Sequence, residues 1–402
     1  MLGVKAAVLL APGEIHVQEF PYPTLRGHDM ILRVEMSGIC GTDKHTFRGA
    51  TLQYAGTAAQ MHTPFPIIQG HEVVGTVADI HPDAAASMEF YGRPLRPGDR
   101  VVICPDIICG RCWYCRHIAG YSLCENLRSY GNSFTCAEPP HLFGGFADCM
   151  YILPQTFVYR VPEDLPPEVA VMTELLAVTA SLDKAREFSA LGGEGFQSGD
   201  TIVVQGAGPL GILHILKARI LGAGEIIAID RSAHRLNLAK RFGADMVLDL
   251  SSTTQEERID VVRSSTGGRG ADLVVECAGE PEAFLEGIEM LRMGGMYIVT
   301  GMFAEQGTVR VSPHRHVLAK NLRIIGIRNH PYTAYGPAME LMRKWRDRFP
   351  WREFVSDRFP VRDSATAMRR SFEPDTMKVV IEPGSLPESS PGFLRRHGEE
   401  AA

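Results

Sequence analysis

The chain has 402 residues, 45% of them hydrophobic and 22% charged, with 40 glycines, 26 prolines and a formal net charge of −6. That composition excludes disorder and collagen-like repeats, and the length argues for two or three domains that need no disulfide or metal merely to hold a core. No run of Lys and Arg is dense enough to neutralise a series of phosphates, so a small molecule is the expected partner and nucleic acid is not.

No window reaches the ~18 apolar residues of a membrane span. The apolar run Ala6 to Ala11 is too short for a signal-peptide core and meets Pro12-Gly13 at once. Nine cysteines, five of them at spacings that suit a metal better than disulfides, fit a reducing cytoplasm.

From Met1 to about Pro162, short β-branched runs (ILRVEM, HEVVGTVADI, DRVVIC, ADCMYILP, FVYRVP) are broken by Gly and Pro, predicting a mostly antiparallel, barrel-like β domain over 1–164. Gly49 to Pro66 and Pro82 to Gly98 read as long loops, of a length uncommon without a role. From Asp164 the texture changes. TIVVQG, a helix over Pro209 to Leu221, EIIAID, a helix over Ala233 to Phe242, ADLVVECAG, a helix over Pro281 to Leu291, MYIVTG and LRIIGI predict an α/β, doubly wound parallel sheet at 165–325. The segment 326–383, with an amphipathic helix near Tyr335 to Arg346 and strands near Phe359 and in MKVVIEP, is too short to fold alone and is expected to return to the first domain. The tail 384–402, rich in Pro, Ser, Gly and charge, reads as disordered.

Three motifs carry chemistry. Cys109, Cys112, Cys115 and Cys124 can close a tetrahedron around one Zn²⁺ and leave no position open, which marks a structural site. GAGPLG, Gly206 to Gly211, follows a strand and opens a helix, and Asp230 ends the next strand, as in the dinucleotide fingerprint. Gly206 permits the turn, Gly208 lets a pyrophosphate approach the backbone, and Gly211 allows close helix–strand packing. Pro209 and Leu210 sit at the helix N-terminus, whose free amides attract negative charge. The third motif is dispersed: Cys40, His71 and either Glu72 or Glu174 offer thiolate, imidazole and carboxylate, a set suited to a zinc with an open position. Thr42 and His45 could pass a proton from an alcohol to solvent.

Taken together, CGTDKH, GHE, TELLAV, the four-cysteine lobe and GAGPLG resemble the zinc-containing alcohol dehydrogenases of the medium-chain dehydrogenase/reductase superfamily, closest to the sorbitol and threonine dehydrogenase branch. The resemblance spans about Lys5 to Pro383. It implies a GroES-like catalytic domain, a Rossmann domain and an active site in the cleft between them. It also implies that Cys40 and His71 are catalytic zinc ligands, that Glu72 is a ligand or a supporting partner, and that Glu174 takes the place of a glutamate in EPL, here followed by Leu175. The last gap of the cysteine lobe is one residue longer than usual, and Thr51 to Thr63, His81 to Leu95 and the LGGEGFQ stretch depart from the family pattern.

The expected reaction is zinc-assisted hydride transfer between a secondary alcohol and NAD. Asp230 favours a ribose 2′-hydroxyl over a 2′-phosphate, although Arg231 and Arg235 beside it could receive that phosphate. A polyol, cyclitol or amino alcohol is the expected substrate. Tyr54, Met61, Phe65 and Phe143 leave open an apolar pocket for a hydrophobic or cyclic secondary alcohol. A zinc-free reductase would lack the cysteine lobe and the Cys40/His71 pair, and a catalytically silent nucleotide-binding member should have lost a ligand or the relay. A homo-oligomer, dimer or tetramer, is expected.

Overall fold

The computed structural model describes residues 3–57, 60–118, 120, 123–187 and 195–384. The tail therefore lies outside the described residues apart from Gly384, and so do residues 191–194 of the LGGEGFQ stretch.

The first part of the chain, joined by two strands from near its end, builds a seven-stranded sheet, in the order Val158–Arg160, Arg100–Ile103, Glu72–Ile80, Met30–Gly38, Lys378–Ile381 and Val355–Phe359, with Cys149–Ile152 also paired to Met30–Gly38. Its pairs are antiparallel except the last, Val355–Phe359 with Lys378–Ile381, which is parallel. The strand Lys378–Ile381 thus brings residues from the far end of the sequence beside the strand that leads to Cys40. A hairpin, Gly3–Ala11 and Glu14–Pro21, pairs with Ile67–Ile68 in a separate sheet. Its turn uses Gly13 at φ 81°, the left-handed region that glycine tolerates. The apolar run in the first of these strands is core: Val4, Ala6, Ala7, Val8 and Leu9 are buried.

The second sheet is parallel throughout, in the order Met246–Asp249, Glu225–Asp230, Thr201–Gln205, Ala271–Glu276, Leu291–Val299, Arg323–Gly326. Its central strands are continuous apolar runs (Ile202 to Val204, Ile226 to Ile229, Leu273 to Val275), as a sheet covered on both faces requires. Chain order reverses at Thr201–Gln205, which opens a crevice at the carboxyl ends of the strands. The helix Pro209–Ile220 starts there.

One apolar cluster joins the two halves. Val74 and Tyr159 from the antiparallel sheet, Leu175 and Leu176 from the helix Thr173–Val178, Ile212 and Ile215 from Pro209–Ile220, and Tyr335 and Met339 from Tyr335–Lys344 share one core. The cleft is therefore framed by packed elements. The two long loops carry structure of their own. Gly49 to Pro66 contains a short ribbon, Leu52–Gln53 with Met61–His62, and Pro82 opens the helix Pro82–Ser87, capped by the His81 side chain.

Candidate functional site

The two sheets face each other across a cleft of about 1370 Å³ whose lining includes Cys40, His71, Glu174, Gly206, Gly208 and Asp230. Cys40 stands at the N-cap of the helix Gly41–Phe47, where its N–H donates to Asp43 Oδ2 at 2.9 Å. Gly38 and Glu72 are register partners on neighbouring strands, which is what draws Cys40 and His71 together. Asp43, fully buried, also accepts the Gly70 N–H at 3.2 Å and faces His71 Nδ1 at 3.7 Å. Burial disfavours a charged imidazole, but Asp43 and the Cys40 thiol outweigh it and hold His71 well above its ordinary value.

The two candidate glutamates differ in their partners. Lys378 Nζ donates to both oxygens of Glu72, at 2.7 and 2.6 Å, and to the Ile39 carbonyl at 3.2 Å. Glu174 has only Oε1 engaged, 3.3 Å from His330 Nδ1, while its buried Oε2 has no partner. Burial raises the Glu174 pKa. Orphaned polar atoms are uncommon inside proteins. Here the buried Glu174 Oε2 lacks a partner beside the free Cys40 thiol and the His71 imidazole, whose Nδ1 is turned to Asp43, and this mixture of donors fits Zn²⁺. Thr42 Oγ1 lies 3.9 Å from Cys40 Sγ. His45, half-buried on the same helix, accepts from Gln306 Nε2 at 3.3 Å.

The glycine-rich turn has a distinct geometric reason at each position. Gly206 has φ 91°, and a Cβ there would meet the Cys277–Ala278 backbone at 2.9 Å. At Gly208, the N-cap of Pro209–Ile220, a Cβ would find only Arg235 Nη1, 4.0 Å away, so space remains for a phosphate. A Cβ on Gly211 would fall 1.8 Å from the Gly206 carbonyl oxygen. Pro209 and Leu210 form the first turn beside this space. Asp230 ends its strand with Oδ2 accepting from Ala207 N–H (2.7 Å) and Oδ1 from Ser232 N–H (2.8 Å), which ties the second strand to the turn. Arg235 donates from Nε to the Thr376 carbonyl at 3.1 Å, whereas Arg231 is exposed, 3.9 Å from Glu280.

Away from the cleft, Cys109, Cys112, Cys115 and Cys124 have sulfurs all within 4.8 Å of one another, the one such group of three or more metal-binding side chains among the described residues. The Cys40, His71 and Glu174 donor atoms are not gathered that closely. Zn–S bonds of about 2.3 Å at tetrahedral angles put sulfurs about 3.8 Å apart. Cys112 Sγ is 3.4 Å from Cys115 Sγ and 4.0 Å from Cys124 Sγ. The N–H groups of Cys109 and Asn126 donate to Cys124 Sγ at 3.2 and 3.3 Å, which suits a thiolate.

Another part of the cleft lining is polar. Asp106, buried, accepts from Ser129 Oγ at 2.9 Å and from Asn329 Nδ2 at 3.1 Å. Tyr54 donates its hydroxyl to Asn329 Oδ1 at 2.7 Å, and the Arg328 guanidinium lies 3.9 Å over its ring. Gln53 donates to Asn132 at 3.3 Å. Of the four apolar residues expected near the substrate, Tyr54 and Met61 line the cleft and Phe65 and Phe143 do not. Phe143 instead stacks on Phe134, 4.7 Å away, because its sequence position leads into the core strand Cys149–Ile152.

Sequence reasoning missed several residues in the cleft or directly behind it. Asp43 had a local signal, its capping-box spacing from Cys40. Lys44, on the same helix, and Arg48, at its C-cap, line the cleft, and burial, then Arg235 and Lys378, lower the Lys44 pKa to about 8. Lys378, Asp106, Arg328, Asn329 and His330 had none, since their partners are remote in sequence.

Residues 26–163 match the alcohol dehydrogenase GroES-like domain and residues 209–344 the zinc-binding dehydrogenase family. The 5-exo-hydroxycamphor dehydrogenase of Pseudomonas putida is 33% identical over 379 residues, 94% of this chain and 98% of that protein. The sorbitol dehydrogenase of Bacillus subtilis is 27% identical over 383 residues, 94% and 97% of the two chains. An alcohol dehydrogenase structure from Thermotoga maritima superposes with a TM-score of 0.83 at 30% identity, covering 96% of this chain and 100% of that one. The chain therefore belongs to the zinc-containing alcohol dehydrogenases of the medium-chain dehydrogenase/reductase superfamily.

Proposed function

We propose that the protein transfers hydride between a secondary alcohol on a polar carbon skeleton and NAD, with Cys40, His71 and Glu174 as the protein ligands of a catalytic zinc and Glu72 as a supporting group. The observation that carries this reading is the convergence of Cys40, His71 and the unpartnered Glu174 Oε2 with the Gly206–Gly211 turn on one cleft. Bound zinc would supply Lewis acidity that lowers the pKa of an alcohol, and a bound nicotinamide would supply the hydride acceptor. The chain's own residues do the rest. Asp43 fixes His71, Lys378 keeps Glu72 occupied, and Thr42 and His45, three apart on one helix face, carry the alcohol proton toward solvent. Gly208 and the helix N-terminus receive the pyrophosphate, Lys44 and Arg235 add positive charge, and Asp230 accepts the ribose hydroxyls. The division into 1–164, 165–325 and 326–383 follows the same reading.

Asp106, Arg328, Asn329, Gln53 and Asn132 supply donors and acceptors for further substrate hydroxyls, which favours a polyol, cyclitol or amino alcohol. Met61 and Phe303 in the same cleft, with the hydroxycamphor relative, support a second reading, a cyclic apolar secondary alcohol. Metal-replete protein assayed by cofactor reduction on polyols, threonine-like amino alcohols and cyclic alcohols decides between them. Activity confined to unfunctionalised primary alcohols would contradict both.

The nine cysteines are free, and no helix among the described residues is long and apolar enough to cross a membrane, in keeping with a cytoplasmic enzyme. A homo-oligomer is supported by the edge strand Arg323–Gly326, paired on one side only, with Ile324, Leu318 and Met293 exposed near it.

A further inference from the structure

After the edge strand Arg323–Gly326 the chain crosses from the parallel sheet back toward the helix Thr173–Val178 and delivers His330 to Glu174. His330 is buried, 3% exposed, with Nδ1 3.3 Å from Glu174 Oε1, Nε2 2.9 Å from the Tyr335 hydroxyl, and Cys104 Sγ 3.8 Å from Nε2. With the imidazole proton on Nδ1, facing the carboxylate, Nε2 accepts the Tyr335 O–H. Tyr335 is itself immobilised: it is fully buried, and its ring stacks on Tyr159 at 4.7 Å with 12° between planes. A chain of contacts thus runs from a rigid aromatic pair, through one tautomer of His330, to one oxygen of Glu174. The other oxygen is buried and has no partner.

We propose that His330 is a positioning residue for the catalytic metal: by occupying Glu174 Oε1 it fixes the carboxylate and leaves Oε2 as the single oxygen available to the ion. The inference rests on the reading of Glu174 as a zinc ligand. Second partners of this kind orient ligands, and their loss typically weakens metal binding by about 10- to 100-fold. The position of the residue also accounts for Glu174 being held without the proline that follows the glutamate in the related EPL motif: the constraint comes from across the cleft.

The test measures zinc retained per chain against increasing chelator, with the visible spectrum of the Co²⁺-substituted enzyme as a second readout. His330→Ala is expected to release the labile zinc at about tenfold lower chelator or less and to shift the Co²⁺ bands, with the four-cysteine zinc retained and NADH affinity unchanged. His330→Asn, whose amide can donate from nearly the same place as Nδ1, should recover most of the retention. Tyr335→Phe, which removes only the hydroxyl, should shift retention in the same direction by a few-fold and keeps the test valid if His330→Ala does not fold. Native metal retention and native Co²⁺ bands in His330→Ala, or in Tyr335→Phe should the former not fold, overturn the proposal. Glu174→Gln separates the two levels: if it also retains zinc as the native protein does, the ligand assignment itself falls, whereas if it loses zinc while His330→Ala does not, only the role of His330 falls.

Discussion

Two carboxylates reach the floor of the cleft, and their partners separate their roles. Lys378 and Glu72 are 2% and 0% exposed and satisfy each other. Removing one member of such a buried pair typically costs about 3–5 kcal/mol. Lys378→Met should therefore lower the free energy of unfolding by an amount of that order, while Glu174→Gln should change it by no more than about 1 kcal/mol and abolish turnover. The reverse pattern would exchange the two assignments. His45 offers a pH signature. Burial, then Lys44 and Arg48, lower its pKa, so the ring stays neutral near pH 7 and loses its capacity to accept a proton only as pH falls below its ordinary value of 6.5. The kcat for alcohol oxidation should show an acidic limb with its midpoint below 6.5, and His45→Ala should reduce kcat at neutral pH by at least about tenfold, with the deficit shrinking as pH rises. A native acidic limb in His45→Ala would remove it from the proton path. For Asp230, the native kcat/KM should favour NAD over NADP by at least about tenfold, roughly 1.4 kcal/mol, and Asp230→Ser should erode that ratio mainly by improving NADP. A native preference for NADP would show that Arg231 and Arg235 dominate.

The turn Gly206–Gly211 and the helix that follows make separable predictions. Gly211→Ala puts a methyl against backbone that cannot yield and should destabilise the fold by about 1–3 kcal/mol. Gly208→Ala enters open space, so it should leave thermal stability nearly unchanged while weakening NADH binding. Further along the same helix, His214 is fully buried, donates from Nδ1 to the Leu210 carbonyl at 2.9 Å and accepts the Ser181 hydroxyl at 2.8 Å. Burial lowers its pKa from 6.5 to about 4. The unfolded chain therefore binds this proton first as pH falls, and the stability due to a neutral His214 is complete above 6.5 and lost progressively down to about 4, on the order of 3 kcal/mol. Denaturation curves across that window should flatten in His214→Gln. Elements with strong apolar runs, such as Thr201–Gln205 and Pro209–Ile220, were legible in the sequence, as were the four cysteines, because their partners are close in the chain. The strand Met246–Asp249 and the helices Gln255–Ser265 and Ser364–Arg370 were not, being half-exposed or largely polar. Nor was the choice between Glu72 and Glu174, since it depends on Lys378 and His330, which arrive from more than 150 residues away.

For the molecule as a whole, the expected metal content is two zinc ions per chain with unequal lability. The closed four-cysteine site should resist a chelator that empties the open one, and Cys112→Ser should lower the melting temperature or disturb assembly, whereas Cys40→Ser should abolish turnover in a folded protein. A single tightly held zinc after metal-replete expression would contradict the catalytic site. Between the two halves runs the tract Arg328, Asn329, His330, three neighbours in sequence: Arg328 lies over the Tyr54 ring, Asn329 holds the Tyr54 hydroxyl and Asp106, and His330 meets Glu174. In evolutionary terms, on the roles proposed for these residues, substrate preference and metal affinity would be concentrated in three adjacent codons. Replacing His330 would leave the Tyr54 contacts of Arg328 and Asn329 in place, whereas gaining or losing a single codon would displace all three side chains together.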